Sequence, residues 1–159
     1  MITLERISPI DLLMHIHKAF EGDADLLNNI HMSPGSLDHC VNHTYAEIEK
    51  SAHHYGDKMD CFKVMYGFQN IGYSVIIRHG SEPDELYSYG ISIKYRESEI
   101  LKEWMELLKD TLSNPFFTVL WSKNERAIKF FEKNGLYHEK GWEDPGKDKT
   151  LLVYRNNEC

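Results

Sequence analysis

The chain has 159 residues, 42% of them hydrophobic and 27% charged, with a formal net charge of -7. That length and balance predict one soluble globular domain spanning residues 1–159, and they exclude a largely disordered or fibrous chain. The acidic balance argues against a nucleic-acid partner, because phosphate binding relies on clustered Lys and Arg.

The amino end, MITLERISPIDLL, has neither a basic start with a long apolar run nor a membrane span. It predicts a cytoplasmic protein without a membrane partner. Residues 1–7 are β-compatible. Ser8-Pro9 then offers a helix start, and Ile10, Leu13, Met14 and His17 recur with helical spacing, predicting an apolar stripe as far as about Phe20. Ser33-Pro34-Gly35 breaks the chain. Ser36 caps a second helix, along which Leu37, Val41, Tyr45, Ile48, Ala52 and Tyr55 repeat, and Gly56 ends it.

After Asp60 the period changes to two. Phe62, Val64 and Tyr66, a turn over residues 67–70, and Ile71, Tyr73, Val75 and Ile77 predict a hairpin with each set on one face. A turn over residues 79–85 leads into LYSYGISIKY, where Tyr87, Tyr89, Ile91, Ile93 and Tyr95 predict a third antiparallel strand. From Ser98, Ile100, Leu101, Trp104, Leu107, Leu108 and Leu112 predict a helix stopped by Ser113-Asn114-Pro115, with Trp104, Leu108 and later Phe130 in the core. FFTVLW predicts a short buried strand. Ser122 and Glu125 have capping-box spacing before a helix that ends at Gly135, and two strands follow, at about 136–142 and 150–154. The order β, two helices, three strands, helix, strand, helix, strand pair predicts an α/β fold with one mixed, mostly antiparallel sheet and helices on both faces.

Three features invite sharper readings. His39 and His43 lie four apart beside Asp38 and Cys40, but no HExxH pattern accompanies them, and a solvated helix face is the preferred reading over a metal site. Cys40, Cys61 and Cys159 lack CxxC spacing and predict reduced thiols, with Cys61 a small buried hydrophobe. The tyrosines at 87, 89 and 95 read as sheet packing in preference to a stacking platform.

NERAIKFFEKNGLYHEKG, starting at Asn124, resembles the pattern of the GNAT (Gcn5-related N-acetyltransferase) superfamily, in which Asn-x-x-Ala opens a helix and Lys-x-Gly-Leu closes it. ISIKYR at 91–96 resembles the end of that family's cofactor strand. The resemblance covers about half the chain in sequence, from Phe62 to Gly141, and implies an acyl-CoA N-acyltransferase fold with acetyl-CoA lying where two strands splay apart. Backbone groups of Ile91 and Ile93 would then bond the pantetheine and polarise the thioester carbonyl, and Asn124 would bond the pantetheine arm. Arg96, Ser98, Glu99, Ile100 and Leu101 would surround the diphosphate at a helix N-terminus.

That turn departs from the family. It reads RESEIL, with Glu97 and Glu99 where glycine is usual and Leu101 at the third small position, leaving Arg96 and Lys102 to offset the carboxylates. Phe131 occupies the position of a tyrosine that protonates the leaving thiolate in many relatives. Glu85, Tyr87 and Ser88 lie where the acceptor amine would be deprotonated. The resemblance thus implies acetyl transfer from acetyl-CoA to a small-molecule or peptide amine. The alternative is a noncatalytic binding or virion-associated protein of the same fold, because glycine-poor versions resemble proteins encoded by some bacteriophages. By resemblance, residues 8–56 would wall the acceptor side.

Overall fold

A computed structural model describes residues 1–23, 36–142, 144–146 and 148–156. The Ser33-Pro34-Gly35 break lies outside the described residues. A seven-stranded sheet has the order β1-β2-β3-β4-β5-β7-β6. Its strands are β1 (Ile2–Ile7), β2 (Met59–Tyr66), β3 (Gln69–Ile77), β4 (Asp84–Ile91), β5 (Phe116–Trp121), β6 (Leu136–His138) and β7 (Lys149–Tyr154). All neighbours are antiparallel except the β4–β5 pair. The helices are α1 (Leu12–Phe20), α2 (Leu37–Tyr55), α3 (Ser98–Thr111) and α4 (Glu125–Lys133). Among the described residues the order of elements is the predicted one, and no helix there is long and apolar enough to cross a membrane.

Two cores flank the sheet. On one face Leu12, Ile16, Ala19 and Phe20 of α1 and Val41 and Ile48 of α2 pack on Cys61, Tyr73, Val75 and Ile77. On the other, Trp104, Met105 and Leu108 of α3 and Phe131 of α4 cover Val64, Ile71, Ile76, Leu86 and Phe116. Trp104 donates its indole N–H to Ser74 Oγ at 3.0 Å, so the buried ring keeps its polar atom paired.

Local chemistry explains most boundaries. Ser36 accepts the His39 N–H at 3.2 Å as the N-cap of α2, and Gly56 leaves that helix at φ 59°. Burial corrects the reading of α1, whose predicted stripe is largely exposed: Ile10 and Met14 are 78% and 73% accessible. Pro9–Asp11 forms a separate 3-10 turn and the α-helix begins at Leu12, which turns the competing set Leu12, Ile16, Ala19 and Phe20 to the sheet. Ser122 also fails as a cap. Its hydroxyl pairs with Thr150 Oγ1 at 2.7 Å, and Asn124 caps α4 by accepting the Ala127 N–H at 3.4 Å. Phe130 is half-buried, while its neighbour Phe131 is enclosed.

Two register shifts overturn the simple alternation in β3 and β4. Val64 faces Gly72 and Met65 faces Asn70, so Ile71 is the extra residue and points to the α3 side, away from Tyr73, Val75 and Ile77. Gly72 is required there, since a Cβ would lie 2.1 Å from Gly90 O. In the second shift Val75 faces Ser88 and Ile76 faces Leu86, leaving Tyr87 extra and separating it from Tyr89. The strand also stops at Ile91, and Ile93–Tyr95 forms a 3-10 turn where the sequence predicts more strand.

Burial fixes the chemistry of one thiol. Cys61 is 1% exposed and its thiol is pushed up to about 11 by burial first and by the Asp60 carboxylate second, with Arg6 opposing. Reaction with a thiol reagent at pH 8 should therefore leave Cys61 unlabelled in the folded protein and label it after denaturation. Peptide mass spectrometry checks this.

Candidate active site

β4 and β5 pair only at their starts, Asp84 to Leu86 against Phe116 to Thr118. β5 then continues along β7 through Trp121, while Tyr87–Ile91 has no β5 partner, so the two strands form a fork closed at its base. The bulge at Tyr87 sits where the strands part and re-aims the end of β4. An ion-pair cluster fastens the base. Arg78 bridges Asp60 (3.0 Å) and Asp84 (2.5 Å) and donates to Thr111 O (2.9 Å), and Asp84 accepts the Ser113 N–H (2.9 Å).

On the α3–α4 face the fork opens into a cavity of about 150 Å³ lined by Tyr89, Gly90, Ile91, Arg96, Leu101, Trp104, Asn124, Arg126, Ala127, Phe130 and Phe131. Ser92 donates its N–H to Ile71 O on β3 at 2.7 Å. By the alternation of an antiparallel ladder, the peptide groups of Tyr89 and Ile91 therefore point the other way, into the fork. The Ile91 carbonyl accepts from Arg96 Nε at 2.8 Å, and the Ile91 N–H points into the fork.

On the α1–α2 face the same fork opens into a second cavity of about 410 Å³, whose walls include His43, Thr44, Glu47, Tyr73, Glu85, Tyr87, Ser88, Val119, Trp121 and Lys149. Tyr89 and Asn124 line both cavities and stand at the passage through the sheet. Ser51 donates to the Tyr87 hydroxyl at 2.7 Å, linking α2 to β4, and Tyr73 and Ser88 share a hydrogen bond of 2.9 Å. Burial raises the phenols of Tyr73, Tyr87 and Tyr89, with hydrogen bonds to Ser88, Ser51 and Thr118 respectively acting against it. All three stay protonated near neutral pH, so none of them is a base. Lys149 Nζ lies 5.0 Å from the centre of the Trp121 ring.

The structure sorts the sequence candidates into these two chambers. Glu85, Tyr87 and Ser88 meet on the α1–α2 side, while Ile91, Arg96, Leu101, Asn124 and Phe131 meet on the α3–α4 side. Ile93 does not join them: it is 39% exposed and its carbonyl accepts the Arg96 N–H at 3.3 Å within the 3-10 turn. Ser98, Glu99 and Ile100 lie at the first turn of α3 outside the cavity wall, Ser98 and Glu99 exposed. Glu97 is the N-cap of α3 and makes no side-chain cap, and Glu99 lies in the first turn. Arg96 pairs with the fully buried Asp23 carboxylate and so turns back toward the end of α1. Tyr89, Trp104, Arg126 and Glu47 were missed. Arg126 and Ala127 lie inside the NERA motif, and the bulge is what sets Tyr89 apart from Tyr87. Among the described residues no group of three His, Cys, Asp or Glu side chains forms a metal site; His39 and His43 stack at 6.5 Å.

A CoA thioester fits the fork in part. The inward Ile91 N–H, the apolar wall and the Asn124 amide suit a slender pantetheine arm, whereas Glu99 and the Asp23-bound Arg96 suit a diphosphate poorly.

Neither a protein-family model nor a curated protein matches the chain. Solved structures do. An acetyltransferase from Thermus thermophilus superposes with a TM-score of 0.72 at 18% identity, covering 96% of this chain and 95% of that one. The PaiA N-acetyltransferase of Thermoplasma acidophilum, in complex with coenzyme A, gives 0.66 at 15% identity over 98% and 99% of the two chains. The spermidine N-acetyltransferase of Vibrio cholerae, in complex with CoA and spermine, gives 0.59 at 16% identity over 96% and 92%. The fold is that of the GNAT acyltransferases.

Asn124 is both a cap and a cavity residue, and the two roles separate by substitution. Asn124→Ala should cost about 1 kcal/mol of stability through the lost cap. Asn124→Asp keeps an acceptor for the Ala127 N–H and should retain native stability while weakening CoA binding. Urea denaturation read beside calorimetric CoA titration checks both.

Proposed function

We propose that the chain is a GNAT acyl-CoA-dependent N-acyltransferase that moves an acetyl group to an amine by direct attack within a ternary complex. The observation that carries this reading is the fork with a chamber on each face of the sheet, joined at Tyr89 and Asn124. Two reactants approaching from opposite sides meet there without competing for space.

Acyl-CoA supplies an activated acyl thioester. The Ile91 N–H and the Asn124 amide hold the pantetheine arm, and a backbone N–H directed into the fork stabilises negative charge on the acyl oxygen. Phe131, buried and edge-on to the Tyr89 ring at 5.4 Å, cannot donate a proton. Tyr89, protonated and in ring contact with it, takes that role. On the acceptor side Glu47 and Glu85 favour a cationic amine, in keeping with the spermine held by one structural neighbour. Glu85 is the base, Tyr87 and Ser88 orient the acceptor, and residues 8–56 set its identity. The whole chain, 1–159, acts as one domain, in the cytoplasm.

One observation favours the second reading, a noncatalytic protein of this fold: Arg96 is committed to Asp23 and to Ile91 O. Release of CoA thiol from acetyl-CoA, followed with a chromogenic disulfide across spermidine, an aminoglycoside and a peptide with a free amino end, decides between them. Acceptor-dependent release establishes the enzyme. No release with any amine favours the binding protein.

A further inference from the structure

Glu85 stands in the wall of the acceptor cavity, and its Oε1 lies 3.0 Å from Nε2 of His79, across the β3–β4 turn. The imidazole is clamped. Phe117 of β5 stacks on it at 5.9 Å and 19°, and Tyr55 at the end of α2 meets it edge-on at 5.7 Å. The side chains of His79 and Glu85 are 24% and 16% exposed, so the pair is half-shielded but not sealed. Each of three elements thus contributes one group to the ring: a carboxylate from β4, an aromatic face from β5 and a phenol ring from α2. His54 packs on the far side of Tyr55 at 4.7 Å, and Glu47 of α2 shares with Glu85 an electrostatic influence on the Tyr87 phenol.

A carboxylate held by an imidazole N–H has one oxygen fixed and the other left for a proton from the cavity, which is the arrangement a base acting on an ammonium ion needs. We propose that His79 is a positioning residue for acyl transfer: it orients Glu85 toward the acceptor. The proposal rests on the acyltransferase reading above. In the step concerned an N–H bond of the acceptor ammonium breaks, Glu85 gains the proton, and the electron pair stays on nitrogen for attack on the acyl carbon. Glu85 then returns the proton to solvent through its exposed edge.

The test is kcat and acceptor KM for acetyl transfer from acetyl-CoA to the best acceptor among spermidine, an aminoglycoside and a free-amino peptide, for the native protein, His79→Ala, His79→Gln and Glu85→Gln. His79→Ala should lower kcat by about tenfold with little change in acceptor KM, since it disorders a base whose full effect is larger. His79→Gln keeps a donor of similar reach and should restore much of kcat. Histidine-ring NMR gives a reading independent of turnover: the His79 ring resonances should move in Glu85→Gln, because the carboxylate that holds the imidazole is lost. An active native enzyme whose kcat is unchanged in His79→Ala or is not restored in His79→Gln, or unmoved His79 ring resonances in Glu85→Gln, overturns the positioning role and leaves the transferase reading standing. A native protein that releases no CoA thiol with any amine overturns that reading, and the positioning role falls with it.

Discussion

Leu108→Ala is expected to destabilise the protein by about 2–5 kcal/mol, the range for deleting three buried carbons where the surroundings close only partly around the gap. Leu108 is fully buried on α3 and belongs to the core formed with Trp104, Met105, Leu86 and Phe116. Its removal opens space against the strands that form the base of the fork. Leu107, one position earlier and only partly buried, is the control. Leu107→Ala should cost clearly less, because much of the deleted surface is already wet. Urea unfolding of both variants with a common slope measures the difference. Equal costs would mean that α3 presents a different face to the sheet.

The second large effect concerns the start of α3. Glu97 and Glu99 are exposed beside the first-turn N–H groups, where they complement the helix dipole and oppose an incoming diphosphate. Replacing both with Gly should tighten CoA binding by roughly fivefold to thirtyfold, the scale of two screened charges at a wet rim. Part of that gain is steric, since Gly allows closer approach of the backbone. Replacing both with Gln removes charge and keeps volume, so it isolates the electrostatic part, which should shrink as salt is raised. The same substitutions should cost some helix stability, because both carboxylates favour the helix start. Calorimetric titration at two salt concentrations measures the affinities. Unchanged affinity in both double variants would place the diphosphate elsewhere.

Much of this architecture is legible in the sequence because hydrophobic periodicity and end signals agree. The spacing from Ile100 to Leu112, the Ser36 cap and the Gly56 exit each specify a helix that the structure contains. The GNAT likeness rests on Asn124 and Ala127, and the structure makes that pair the cap and cavity wall of α4. What the sequence leaves illegible comes from events that periodicity does not encode. α1 carries two overlapping apolar stripes, and the 3-10 turn at Pro9–Asp11 decides which one meets the sheet. The bulges at Ile71 and Tyr87 each reverse a face of their strand, so alternation predicts Tyr87 and Tyr89 together when they pack on opposite faces of the sheet. Arg96 reads as a phosphate ligand because its buried partner, Asp23, lies 73 positions away in sequence and no local pattern links them. The His79–Glu85 pair is hidden for a related reason: the turn between them brings together residues whose spacing carries no motif.

The central claim is that the fork between β4 and β5 receives an acyl-CoA. Amide NMR of the isotopically labelled protein titrated with acetyl-CoA tests it most directly. The account predicts saturable one-to-one shifts concentrated at Tyr89, Gly90 and Ile91 and at Asn124 through Ala127, with smaller changes at the start of α3. Saturation without shifts in these two segments, or no saturation at all, would contradict it.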